Sequence, residues 1–131
     1  MSSQSSNLKR QEESCTHRYK KEIERINDEE ESISKVLKTL KLIEEQLVMD
    51  ATKACEHFDD YAHTSNPRLY QLMGECQNEI NFSLAHAQRQ LGEQQEELAH
   101  RQKKLSIERV DRDKQYKEEL RSLQEKKEAD C

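Results

Sequence analysis

The stretch CEHFDDYAHTSNPRLYQLMGEC, Cys55 to Cys76, gathers more groups able to do chemistry than any other part of the chain. It carries two cysteines, two histidines, two tyrosines, several carboxylates and the only proline. Cys55, His57, Asp59 and His63 are ligand types for a transition metal. Asp59 and His63, four apart, share a face of a helix, but Cys55 and His57, two apart, point to different faces, and no C-x2-C or H-x3-H pair anchors a tetrahedral set. Solvated polar positions are the better reading, so no metal or cofactor is expected. Catalysis needs a nucleophile with a base in reach inside a concave, water-poor pocket. No GxSxG, P-loop or HExxH pattern occurs, and the chain is read as having no catalytic residue and no enzyme activity.

The elements that would hold this stretch follow from composition and periodicity. Of the 131 residues, 32% are apolar, 37% charged and 5% aromatic, with two glycines, one proline and no Trp. So polar a chain builds no conventional globular core, and so few turn formers favour long helices. Net charge of −5 and a pI near 5.6 argue against binding to nucleic acid or an anionic membrane. The N-terminus, MSSQSSNLKRQEES, has neither a signal-peptide h-region nor a bilayer-spanning run, so no membrane insertion is expected, nor a cleavable signal. The expected location is the cytoplasm, with secretion alongside a partner open.

One heptad frame runs from Tyr19 to Tyr61 through Ile26, Ile33, Leu40, Leu47 and Ala54. Its alternate row is Ile23, Glu30, Leu37, Glu44, Ala51 and Phe58. Asn66 as N-cap and Pro67 at the first helical position start a second helix. That helix repeats Leu84, Leu91, Leu98 and Leu105, preceded by Met73, Ile80 and Ala87, and its frame slips beyond Leu105, where Tyr116, Leu120 and Leu123 continue the stripe. The predicted boundaries are a helix over about 8–63, a turn at 64–66 (Ser65, Asn66, then Pro67) and a helix over about 67–127, in one domain of 1–131 with frayed ends.

If the chain folds back at Ser65 and Asn66, equal rise on both arms sets residue i opposite residue 131 − i. Ile26 then faces Leu105, Ile33 faces Leu98, Leu40 faces Leu91, Leu47 faces Leu84 and Phe58 faces Met73. The acidic run Asp28, Glu29, Glu30, Glu31 falls beside His100, Arg101, Gln102 and Lys103. Two independent heptad patterns agree on one turn, which predicts an all-α fold: a long antiparallel two-helix hairpin, coiled-coil-like. Cys55 and Cys76 also come opposite each other, yet reduced thiols are the expected state.

Val36, Leu42, Ile43, Val48 and Met49 exceed the needs of a two-stranded seam, and Phe82 falls at the same level. These are the candidate partner-binding residues, by which the hairpin would complete a helical bundle with a helical partner or a second copy.

The second half, LGEQQEELAHRQKKLSIERVDRDKQYKEELRSLQEKKEAD, resembles the Leu-, Gln-, Glu- and Arg-rich second helix of LXG-associated α-helical proteins of bacterial type VIIb secretion. The resemblance implies a targeting chaperone that packs beside the helical N-terminal domain of an LXG-type toxin, a second small helical protein being a further candidate partner. The related WXG-type hairpins carry W-x-G where this chain has Ser65, Asn66 and Pro67. The Y-x-x-x-D/E tail signal is absent too, Tyr116 being followed four positions on by Leu120. Both departures imply a subunit that leaves the export signal to its partner. The alternatives are a coiled-coil or stalk component of another secretion system and a client-free homodimeric four-helix bundle.

Overall fold

Almost nothing in this sequence interrupts a helix, and two helices account for nearly all of it. The computed structural model describes residues 2–60 and 66–129, with side chains from residue 5 onward. Helix α1 spans Ser2–Asp60 and α2 spans Pro67–Ala129; they pack against each other as an all-α hairpin. Asn66 caps α2: its Oδ1 accepts from the backbone N–H of Arg68 at 3.0 Å and of Leu69 at 3.4 Å, and its carbonyl accepts the first helical bond from Tyr70 at 3.1 Å. Pro67, next in line, has no N–H to leave unpaired. Ser65, Tyr61 and His63 lie outside the described residues.

Both helices run further than the periodicity predicts. Helix α1 begins at Ser2 rather than near Leu8, since no Gly or Pro stops it, and α2 continues to Ala129, its residues from Gln124 onward all exposed. Contacts divide the chain into two compact units: Met1–Ile33 with His100–Cys131, and Ser34–Ala99. In a helix pair each residue touches only its neighbours along and across the pair, so packing is local.

In the unit of Met1–Ile33 with His100–Cys131, Ile26 and Leu105 are fully buried (0% exposed), and Cys15 and Ile33 are buried as well. Tyr19 and Tyr116 stack with ring centroids 4.2 Å apart. Charges bracket this seam: Arg101 pairs with Glu29 at 2.6 Å, Arg109 with Glu30 at 2.7 Å, Arg112 with Glu22 at 2.8 Å, and Arg25 with Glu108. The acidic run of α1 therefore meets arginines of α2, Glu29 at Arg101 and Glu30 at Arg109. All these pairs are part-exposed, each worth no more than about 1 kcal/mol.

In the unit Ser34–Ala99, Leu40 is buried, whereas Leu47, Phe58, Met73, Ile80, Leu84, Leu91 and Leu98 are half-buried. The alternate row of α2 changes character here. Beyond Ala87 it is Gln88 and Gln95 that lie half-buried, with Glu44 likewise half-buried on α1. Polar seam positions lower stability and favour one register.

The observed register is displaced from equal counting. Tyr19 stacks on Tyr116 instead of facing Arg112, and Cys15 bonds Glu119 instead of facing Tyr116. Side chains lean toward the N-terminus of their own helix, so those of α1 lean away from the turn and those of α2 toward it, and each α1 side chain meets a partner further along α2. Accordingly Cys55 points its thiol at Asn81 Oδ1, 3.9 Å away, and Cys55 and Cys76 are both free.

Gly74 and Gly92 sit inside α2, and a Cβ at either would meet nothing within 4 Å. Gly74→Ala and Gly92→Ala should therefore each raise stability by about 0.5–1 kcal/mol in urea denaturation, the helix gaining propensity without a clash.

Candidate helix-docking groove

In the unit Ser34–Ala99 small side chains fall where a tight seam would carry large ones. Ala51 and Ala54 on α1, with Cys76, Ser83 and Ala87 on α2, leave a groove of about 710 Å³ whose apolar walls are Leu47, Phe58, Ile80 and Leu84. Asp50 on α1 and Glu79 on α2 complete the lining, and among the described residues no Lys, Arg or His contributes to it. Two helices wall it on two sides only, so it lies open to a large occupant, unlike the enclosing pockets that hold small ligands.

The candidate partner-binding residues are all exposed, from Val48 at 38% to Phe82 at 77%. They do not make one surface. Val36 and Ile43 stand fourteen and seven residues before Asp50, on the groove's own flank of α1. Leu42 and Met49, seven apart, turn about 160–180° away from the seam, and Phe82 lies about 100° around α2 from the groove residue Ser83. Val48 falls on the opposite flank from Asp50. On α2 the groove flank is extended by Leu69 and Leu72, both exposed, seven residues before Cys76 and Glu79. Periodicity names Leu47, Ala51, Ala54, Phe58, Ile80, Leu84 and Ala87 as seam positions, but it singles out neither an open groove between them nor Leu69 and Leu72. The signal available was the run of small residues at 51, 54, 83 and 87 in or beside the seam.

Among the described residues no group of three or more His, Cys, Asp or Glu side chains stands close enough to hold a metal ion, and His57 is exposed. Among the described residues no helix is long and apolar enough to cross a membrane. A second, much smaller recess of about 60 Å³ sits beside Cys15, Tyr19, Tyr116 and Glu119. There the Cys15 thiol donates to Glu119 at 2.8 Å, and burial, reinforced by that carboxylate, pushes its pKa up to about 11. A thiol so placed is protonated at neutral pH and is a poor nucleophile. Because its folded value lies above the ordinary 9.0, its contribution to stability is complete below that pH and is lost as pH rises toward 11. At pH 8, iodoacetamide should label exposed Cys76 well before buried Cys15, as read by peptide mass spectrometry.

The class these observations define is an antiparallel helical hairpin with an open apolar groove. Compared with family models, with curated proteins and with solved structures, the chain finds no match.

Proposed function

We propose that the chain is a non-enzymatic adaptor that binds the helical N-terminal domain of an LXG-type toxin and helps present it to a type VIIb secretion apparatus. The observation that carries this reading is the open groove, flanked by exposed Val36, Ile43, Leu69 and Leu72. Four such apolar side chains beside an unfilled groove, in a chain with so little apolar content, are what a helical bundle lacking one or more helices leaves behind. The sequence style of α2 supplies the toxin class, and a turn without W-x-G fits a subunit that depends on its partner for export.

The test is co-expression of the full chain with an LXG toxin N-terminal domain, followed by size exclusion. The two should elute together as one complex. Separate elution, with the chain alone forming a stable dimer, would remove the basis of the adaptor reading and favour the homodimeric bundle.

A further inference from the structure

The geometry points to a specific occupant for the groove: a single amphipathic helix, about three turns long, whose apolar stripe is flanked by Lys or Arg. This rests on the adaptor reading and adds to it the partner's chemistry. The lining runs from Leu47 to Phe58 on α1 and from Cys76 to Ala87 on α2. At 1.5 Å per residue each wall is about 16 Å long, the rise of roughly eleven helical residues. A helix laid there would place apolar side chains at i, i+4, i+7 and i+11 against Ala51, Ala54, Ser83 and Ala87, where these small residues make room for them.

The charge of the lining selects among helices. Among the described residues its charged groups are Asp50 and Glu79, one on each wall, both exposed. A helix with basic flanks would meet an opposite charge on both sides. A second copy docked groove to groove would set these same carboxylates against themselves, which the arrangement disfavours.

The experiment titrates the full chain with two synthetic helical peptides of identical Leu and Ala stripe, one flanked by Lys and the other by Glu. The Lys-flanked peptide should bind about tenfold more tightly or better, and the preference should shrink at high salt because the rim pairs are exposed. In the variant Asp50→Lys with Glu79→Lys the preference should reverse, with helicity at 222 nm confirming that the fold is kept. Equal affinities, a preference for the Glu-flanked peptide, or no binding of either peptide to the folded chain would overturn the proposal. So would a dimer of the chain that Ser83→Arg dissociates, since the groove would then belong to a second copy. If the toxin domain co-elutes equally with the wild type and with the Lys variant, the groove assignment falls while the adaptor reading stands. If the toxin domain does not bind but the wild-type chain prefers the Lys-flanked peptide, the occupant's chemistry stands and the toxin assignment falls.

Discussion

Leu105→Ala is expected to lower the stability of the unit Met1–Ile33 with His100–Cys131 by about 3 kcal/mol, within the range of 2–5 kcal/mol for emptying a fully buried Leu. Leu105 and Ile26 are the two largest side chains wholly removed from water among the described residues. The neighbouring seam positions Glu30, Gln102 and Arg109 are polar and only half-buried, so little apolar surface stands ready to refill the space. Ile26→Ala should cost a similar amount. Leu91→Ala, at a half-buried position in the other unit, should cost less, about 1–2 kcal/mol, because part of its surface already faces water. Urea denaturation gives the magnitudes, and hydrogen exchange shows which amides lose protection. Equal losses at Leu105 and Leu91 would contradict this uneven distribution of burial.

Tyr116→Ala is the second large effect, with an expected loss of about 2 kcal/mol. The ring stacks on Tyr19 at an interplanar angle of 5°, and its hydroxyl shares a hydrogen bond of 2.9 Å with Thr16. Tyr19 in turn donates to Asp113 at 2.9 Å, and Asp113 pairs with Lys117 at 3.0 Å. Tyr116→Phe keeps the stack and should cost only about 0.5–1 kcal/mol, while a double-mutant cycle with Tyr19→Ala should give a coupling near 1 kcal/mol. Lys117, and then Tyr19, hold the Asp113 carboxyl below its ordinary value of 3.8. Its contribution is thus complete above that pH and is lost as pH falls through the lower folded value. The Asp113→Asn variant should flatten this acid-side loss.

The hairpin was legible because two heptad rows and one Asn-Pro start had to share a turn. Asn66 caps α2 and Pro67 opens it, and Ile26, Ile33, Leu40 and Leu105 are buried. Counting residues could not supply the displacement of Tyr19 onto Tyr116, which arises from the lean of side chains on opposed helices. The groove was harder to see. Periodicity registers apolar residues that are present, whereas the groove follows from the small size of Ala51, Ala54, Ser83 and Ala87 and from which flank each occupies. Val36 and Ile43 border that flank; Leu42, Val48, Met49 and Phe82 share their level along the chain but face other directions. The stretch from Cys55 to Cys76 is divided by function as well. Asn66 and Pro67 build the start of a helix, Phe58 and Cys76 line the groove, and the Cys55 thiol points to Asn81.

Adjacent residues of α2 permit the most direct test that the groove is the docking surface. A photo-activatable benzophenone amino acid would replace Ser83, which lines the groove, or Phe82, which points about 100° away, in the full chain co-expressed with the toxin N-terminal domain. On irradiation, position 83 should give a covalent adduct with the toxin domain and position 82 should give little or none. An adduct at 82 without one at 83 would contradict the account.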